Sequence, residues 1–272
     1  MAANARPAAP PSGLAPIHAL GRELQIEYCL ISPEKKDADL IVFLHEGLGS
    51  ASMWKDWPAQ MCAAAGCRGL VFSRNGYGAS TPRDEDEKWP VGYMHAQARE
   101  ALPALLDALG LGDEKPILYG HSDGASIALL YAAMHPQRVK AVAVAAPHIF
   151  VEDITVASIA AAREAFLHTD LPQRLARYHR HPELTFWGWN DIWLNPDFRL
   201  WNIEAEVAGI RCPILAIQGR DDEYGTLEQV QGIKRIAPWT RLCIIERCRH
   251  SPHKDQPDTV ITEVAEFIRG IA

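Results

Sequence analysis

The chain has 272 residues and a formal net charge of −7 at pH 7, with 48% hydrophobic and 22% charged residues. This composition can bury a substantial core and lacks the excess of charge, proline and glycine that marks disordered chains. The acidic balance argues against binding to nucleic acid or to an anionic membrane, because both need a basic surface. We therefore expect a globular protein that acts on a small molecule and contacts neither nucleic acid nor membrane; a homo-oligomer stays possible.

The start of the sequence favours a leader without secondary structure. Residues 1–16 are rich in Ala and Pro and lack the apolar run of a signal peptide, and no other run could span a bilayer. The six cysteines stand singly, without the paired spacing of zinc ligands or of a disulfide framework. We expect a flexible leader over residues 1–20, a cytoplasmic location, reduced thiols and no metal site.

From residue 21 onward, short apolar strands alternate with helical segments. The pattern predicts strands over residues 23–31, 41–44, 69–73, 116–119 and 139–146, and helices over 53–65, 91–109 and 124–134. Such alternation predicts a mostly parallel, doubly wound sheet.

The alternation stops over residues 148–209, which are helical in pattern and contain four tryptophans. It resumes with a strand over 214–217, a helix over 227–236, a strand over 242–245 and a last amphipathic helix. We therefore predict one α/β core built from residues 21–147 and 210–272, with a helical cap inserted over residues 148–209.

Two groups of cap residues could reach a ligand. Trp187 and Trp193 are candidates for an aromatic pocket wall, although tryptophans of this kind more often pack between helices. A basic cluster is expected to be a solvated helix end rather than an anion site or a metal site; it consists of Arg174, Arg177, His179, Arg180 and His181.

The strongest local signal is the pentapeptide Gly120-His121-Ser122-Asp123-Gly124, which lies between a predicted strand and a predicted helix. It has the pattern and the context of a nucleophile elbow, in which a strained turn exposes the central serine at the end of the strand. The following helix N-terminus offers amides to a developing negative charge. Because the two glycines centre the motif on Ser122, the sequence favours Ser122 over Asp123 as the nucleophile.

A serine nucleophile needs a base, and the base needs an acid that fixes its tautomer. Asp222 follows the predicted strand 214–217, and His250 follows the predicted strand 242–245. Each therefore stands beyond the carboxyl end of a sheet strand, in the chain order Ser, Asp, His that this type of site uses.

Together these motifs resemble the α/β-hydrolase superfamily over nearly the whole chain from about residue 24. The tetrapeptide Gly219-Arg220-Asp221-Asp222 is similar to the Gly-x-x-Asp acid turn of the family, which favours Asp222 over Asp221. The resemblance implies the α/β-hydrolase fold, with a helical cap, and a Ser-Asp-His triad that needs neither cofactor nor metal.

Two further segments carry the resemblance. Residues 250–257 are similar to the family segment in which the catalytic histidine precedes an acidic residue and a proline, which favours His250 over His253. Residues 73–80 resemble a glycine-rich loop of the family, but Ser73 and Asn75 replace its usual acid and arginine. We expect that loop to act as scaffold.

The resemblance also implies an oxyanion hole, formed by the amide of Asp123 and an amide from the loop after strand 41–44. When His45 is matched to the His-Gly-x motif of the family, Glu46 takes the place of the glycine and Gly47 becomes the donor. A carboxylate there would oppose the oxyanion unless Glu46 points away or pairs with a cation. Glu46 and His148, which follows strand 139–146, are further candidates for the pocket.

The leading hypothesis is hydrolysis of a small carboxylic ester or lactone through a Ser122 acyl-enzyme. The same triad could instead cleave an acyl thioester or a carbon–carbon bond. A third hypothesis is a ligand-binding protein on a hydrolase scaffold, which an intact triad disfavours because binding alone needs no activated serine.

Overall fold

The structure is a computed structural model that describes residues 11–271. Its strands are β1 (Ser12–Ala19), β2 (Arg22–Ile31), β3 (Leu40–Leu44), β4 (Arg68–Phe72), β5 (Ile117–His121), β6 (Ala141–Ala145), β7 (Ile214–Gly219) and β8 (Arg241–Ile245). They form one sheet in the order β1-β2-β4-β3-β5-β6-β7-β8. The pairs β1–β2 and β2–β4 are antiparallel and all the others are parallel, which confirms the predicted mostly parallel, doubly wound α/β architecture.

Helices connect the strands and cover the sheet. They are α1 (Trp57–Ala65), α2 (Tyr93–Ala96), α3 (Leu102–Ala108), α4 (Asp123–Met134), α5 (Asp153–His168), α6 (Leu171–Leu175), α7 (Pro182–Trp193), α8 (Glu204–Val207), α9 (Glu228–Ile236), α10 (Pro252–Asp255) and α11 (Pro257–Arg269). One turn of π-helix joins α2 to α3, so the predicted helix 91–109 is continuous but irregular. No helix within residues 11–271 is long and apolar enough to cross a bilayer.

The core consists of two layers, one on each face of the sheet. Successive strand residues point to opposite faces, so Ile41 and Phe43 pack with α1 and α11, while Val42 and Leu44 pack with α3 and α4. Burial on both faces explains the uninterrupted apolar runs of the central strands. The predicted apolar face of α11 is buried in the first of these layers, through Val260, Val264, Phe267 and Ile268.

The prediction of a leader without secondary structure over residues 1–20 is wrong for its second half, where Ser12–Ala19 form β1. Residues 1–10 of the predicted leader lie outside the described part of the chain. Strand β1 pairs with β2 through a two-residue turn in which Leu20 and Gly21 both have positive φ, at 56° and 74°. Such a turn matches the twist of the paired strands. Ala15, Ile17 and Ala19 alternate into the core, which is the reason this edge strand forms.

The chain forms helices α5 to α8, and no strand, between the end of β6 and the start of β7. These helices bury their own aromatic contacts, such as the stacked rings of Phe166 and Phe186, whose centroids are 3.8 Å apart. Other side chains of the same segment, including Ile159 on α5, line the cavity that contains Ser122. The segment therefore lies over the carboxyl ends of the strands, where ligands of α/β sheets bind.

Candidate active site

Ser122 lies in the sharp turn between β5 and α4, with φ 53° and ψ −120°. Such a conformation costs a non-glycine residue about 1–3 kcal/mol and persists only where the surroundings impose it. The two flanking glycines allow the close packing that imposes this conformation. A methyl group on Gly120 would overlap the carbonyl of Gly124, and one on Gly124 would overlap the carbonyl of Leu44 in β3. The turn thus requires glycine at both positions and holds the serine at the edge of the sheet.

The side chains of Ser122, His250 and Asp222 form one hydrogen-bonded chain. His250 Nε2 lies 2.9 Å from Ser122 Oγ, and His250 Nδ1 lies 2.8 Å from Asp222 Oδ1. Asp222 also accepts hydrogen bonds from the amide of Tyr224 and from the Gln218 side chain, both at 2.8 Å. Three residues predicted from separate motifs are therefore brought together by the fold.

The electrostatic environment determines which atoms of this hydrogen-bonded triad carry protons. Burial opposes ionisation of Asp222, but the hydrogen bond and the charge of His250 outweigh it and lower the pKa of the carboxyl below its usual value. An ionised carboxylate can only accept hydrogen bonds, so His250 carries a proton on Nδ1. Its Nε2 then accepts from the Ser122 hydroxyl, as a general base must.

The residues that the sequence left as alternatives, His253, Asp221 and Asp123, do not occupy the triad positions. His253 is buried, with its ring 4.7 Å from that of Trp54, and Asp221 is exposed. The side chain of Asp123 is engaged, because it accepts hydrogen bonds from Tyr93 at 2.7 Å and from Trp193 at 3.2 Å. Burial raises the pKa of Asp123.

The cavity beside Ser122 has a volume of about 180 Å³, and both candidate oxyanion residues, Gly47 and Asp123, line it. Asp123 is the first residue of α4, so its N–H belongs to the free donors of a helix N-terminus. Within residues 11–271, neither its N–H nor that of Gly47 donates to a protein acceptor. A methyl group on Gly47 would overlap the indole of Trp189, so this loop position also needs glycine.

Glu46 lines the same cavity, but its charge is paired. Its Oε1 lies 3.3 Å from Lys254 Nζ, and its Oε2 lies 3.5 Å from His121 Nδ1. Burial alone would raise the pKa of Glu46, yet Lys254 and His121 hold that pKa well below its usual value. Glu46, which replaces the family glycine, therefore has a partner cation, as we expected a carboxylate at this position to need.

A buried arginine connects the two candidate oxyanion donors. Arg74 Nη2 donates to the carbonyl of Glu46 at 3.0 Å, and Arg74 Nη1 lies 3.7 Å from Asp123 Oδ2. The Arg74 amide donates to His45 Nε2 at 3.0 Å, and His45 Nδ1 donates to the Glu46 carbonyl at 2.7 Å. Residues 73–80 do act as scaffold, but one of them also fixes the loop that carries Gly47.

The basic cluster of the cap segment is not uniformly solvated, because His179 is buried. Its Nδ1 accepts from the amide of Gly78 at 3.0 Å, and its Nε2 donates to the carbonyl of Leu48 at 3.0 Å. Burial lowers the pKa of His179, in keeping with a neutral ring that both accepts and donates. The expectation of a solvated helix end is therefore wrong for His179, while Arg174, Arg177 and Arg180 are exposed.

Of the two tryptophans predicted to line the pocket, one lies on a different face of helix α7. Trp193 and Trp189 line the Ser122 cavity, whereas Trp187 lines a separate groove beside Trp89. Residues four apart share a face of a helix and residues two apart do not, so on α7 Trp187 points away from the other two. The assignment of Trp187 to the pocket is therefore wrong, and Trp189 takes its place. The ring of Tyr224 also lies against His250, with centroids 4.6 Å apart.

His148 lines the cavity as the sequence suggested. Its backbone is fixed, because the Ser126 hydroxyl donates to the carbonyl of His148 at 2.6 Å and lies 3.2 Å from its amide. Its ring lies 5.0 Å from that of Trp193 and 5.9 Å from that of His250. Burial lowers the pKa of His148 to about 3, so the imidazole is neutral near neutral pH.

Comparison with known proteins agrees with this fold. Residues 41–263 match the model of the Alpha/beta hydrolase family. The chain belongs to this family. The match covers every core strand from β3 to β8, and it includes Ser122, Asp222 and His250.

Solved structures with the same fold include an esterase, a lactonase and a carboxylesterase. A thermophilic esterase from Thermogutta terrifontis is 17% identical, with a TM-score of 0.71 over 96% of this chain and 99% of that one. An enol-lactonase from Burkholderia xenovorans is 19% identical, with a TM-score of 0.72 over 95% and 100%. A structure from a study of carboxylesterases of Nitrososphaera gargenis is 17% identical, with a TM-score of 0.74 over 94% and 98%. At these identities the likeness establishes the fold.

Proposed function

We propose that this protein hydrolyses a small carboxylic ester or lactone through an acyl-enzyme on Ser122. The observation that carries the proposal is the continuous hydrogen-bonded chain from Asp222 through His250 to Ser122 Oγ, beside a cavity lined by two residues whose backbone amides donate to no acceptor within residues 11–271. Activated serine, oriented base and anion-binding amides are the three parts that acyl transfer needs.

The reaction runs in two halves. His250 Nε2 takes the proton of Ser122 as Oγ attacks the carbonyl carbon, and the amides of Gly47 and Asp123 hold the resulting oxyanion. The tetrahedral intermediate collapses, and the imidazolium gives its proton to the leaving alkoxide. The alcohol departs from an ester, or the ring opens in a lactone, and the acyl group stays on Ser122. Water then attacks the acyl-enzyme as His250 takes its proton; the bond between the acyl carbon and Oγ breaks, His250 returns the proton to Ser122, and the carboxylic acid leaves.

The size of the cavity supports a small substrate. Its volume of about 180 Å³ is below the roughly 300–1,000 Å³ of typical pockets for drug-sized ligands. The exposed arginines of the cap segment, Arg174 and Arg177, do not line it. Among residues 11–271, no lysine or arginine lines the cavity to bind the phosphate of a thioester, and this favours an ester or lactone over the thioester alternative.

The test is turnover of 4-nitrophenyl esters from acetate to octanoate, of small lactones, of acyl-CoA thioesters and of dienoate ring-cleavage products. Wild type and Ser122→Ala are compared. The proposal predicts serine-dependent hydrolysis of esters or lactones with an optimum at short chains. Serine-dependent turnover confined to thioesters or to carbon–carbon substrates would replace it with the corresponding alternative. Ligand binding that survives in Ser122→Ala, without turnover by wild type, would favour the binding-protein hypothesis.

A further inference from the structure

His148 is a polar side chain in the cavity wall whose hydrogen-bonding capacity is unused. It is 2% exposed; among the described residues its Nδ1 has no hydrogen-bond partner, and the hydrogen bonds of His148 are made by its backbone. A buried polar group without a partner destabilises a protein by about 1–3 kcal/mol. The ring is held in place all the same, between Trp193 and His250 and above a backbone fixed by Ser126. The ring is thus held in position for a partner that residues 11–271 do not provide.

The two ring nitrogens differ in their access to the cavity. Nδ1 is enclosed by protein atoms and has no partner in the part of the chain that the structure describes, so Nε2 is the nitrogen that can meet a ligand. Buried N–H groups without an acceptor are rarer than buried acceptors without a donor. The neutral ring is therefore best accommodated with its proton on Nε2, where a ligand oxygen can accept it.

The surroundings limit the charge of that ligand oxygen. Asp222 is ionised within the triad, and Glu46 and Glu223 line the same cavity. The Asp222 charge would repel a ligand carboxylate, because like charges in a poorly solvated site raise the free energy of both. Lys254 and Arg249 are already paired with Glu46 and Glu223, at 3.3 and 3.1 Å, so neither cation is available to a ligand carboxylate. The arrangement selects an uncharged acceptor, such as an ether, ketone or hydroxyl oxygen.

We propose that His148 Nε2 donates a hydrogen bond to an uncharged oxygen of the substrate, one that is separate from the reacting ester group. The substrate class is therefore an oxygen-substituted small ester or lactone rather than a plain alkyl ester. This inference rests on the proposed function, because it concerns selectivity in the same cavity. His148 acts as a specificity-determining residue and takes no part in the bond-breaking steps.

The experiment compares pairs of substrates that differ in one methylene replaced by oxygen. The acyl arm uses 4-nitrophenyl butanoate and 4-nitrophenyl methoxyacetate; the alcohol arm uses butyl acetate and 2-methoxyethyl acetate. For each pair, the ratio of kcat/KM is divided by the ratio of the hydroxide-catalysed rates, which removes the difference in intrinsic reactivity. Wild type is compared with His148→Leu, His148→Gln and His148→Asn, and thermal unfolding shows that each variant is folded.

The expected result is a corrected ratio about tenfold higher in wild type than in His148→Leu, in one of the two arms. That arm identifies the half of the substrate that carries the oxygen. His148→Gln, whose amide reaches the position of Nε2, retains most of the preference, whereas His148→Asn, whose amide ends near Nδ1, loses it. A merely structural role would lower the rates on both members of a pair and leave the ratio unchanged.

Equal ratios in wild type and His148→Leu in both arms would overturn the inference, and so would a preference that survives in His148→Asn but not in His148→Gln. The proposed function is checked separately by the Ser122→Ala variant on the same substrates. If wild type is active only when Ser122 is present but the ratios do not respond to His148, only the assignment of His148 fails. If turnover persists without Ser122, the proposed function fails as well.

Discussion

The imidazole of His179 joins the helical segment after β6 to the loop that follows β3, by donating from Nε2 to the carbonyl of Leu48 at 3.0 Å. The neighbouring residue of that loop, Gly47, carries one of the two amides that line the Ser122 cavity. The opposite ring nitrogen accepts from the amide of Gly78 at 3.0 Å. His179 therefore anchors the loop of the candidate oxyanion hole at Leu48, in addition to the contacts of Arg74 and His45 with Glu46.

Replacing His179 with alanine should lower kcat by about ten- to a hundredfold, because small misplacements of catalytic groups have effects of this size. KM should change less, since the loop acts on the transition state more than on substrate binding. Steady-state kinetics on a short 4-nitrophenyl ester tests this, with the exposed Arg177→Ala as the matched control from the same segment. A variant with unchanged kcat would show that the loop holds its position without His179.

The acid of the triad can be distinguished from its neighbour by paired substitutions. Asp222→Asn replaces a carboxylate that accepts from His250 Nδ1 at 2.8 Å, so the imidazole loses its fixed tautomer. In comparable triads this substitution lowers kcat by about 10⁴-fold. Asp221→Asn, at the exposed adjacent position, should stay within about twofold of wild type. Similar losses in both variants, measured by initial rates at pH 8, would contradict the assignment.

The pairing of Glu46 with Lys254 should protect the oxyanion from the Glu46 charge. Lys254→Met leaves the carboxylate with less compensation, and kcat should fall by less than about fivefold, because Lys254 is partly exposed and its interactions are screened. Adding Glu46→Gln to this variant should restore the lost rate, since it removes the uncompensated charge. Lys36→Met, at an exposed lysine of the β2–β3 loop, is the control. Failure of the double variant to recover would show that Lys254 acts independently of Glu46.

His148 should contribute to the dependence of stability on pH. Its pKa is lowered by burial to about 3 in the folded protein, against an ordinary value of 6.5. Between these values the unfolded chain binds more protons, so the free energy of unfolding decreases as pH falls from 6.5, by up to about 1.4 kcal/mol per pH unit. Urea unfolding between pH 4.5 and 7.5 should give a flatter profile for His148→Gln. Equal slopes in wild type and His148→Gln would contradict the prediction.

The parts of the site that lie in local motifs could be predicted from the sequence. The Gly-x-Ser-x-Gly elbow and the acid turn before Asp222 each specify a short backbone conformation, so their residue types are visible without the fold. His250 could be placed because it follows a strand whose neighbours in a parallel sheet end at the same edge. The pocket position of Trp189 could also be predicted, because its spacing of four residues from Trp193 indicates a shared helix face.

Contacts between distant segments left no such pattern. His179 contacts Leu48 and Gly78, which are 131 and 101 residues away in the chain, and nothing near His179 distinguishes it from the exposed arginines around it. Arg74 likewise reaches Asp123 only because the sheet places β4 and β5 on either side of β3. Strand β1 was missed for another reason: Pro16 and small alanines weaken its alternation, although an edge strand tolerates proline.

Covalent labelling shows whether Ser122 is an activated nucleophile. Wild type and Ser122→Ala are incubated with a short-chain fluorophosphonate, and intact-protein and peptide mass spectrometry locate the adduct. We predict one adduct per wild-type chain, on Ser122, a rate of labelling that falls steeply in Asp222→Asn, and no adduct in Ser122→Ala. A folded wild-type protein that stays unlabelled, or that is labelled at another residue, would contradict it.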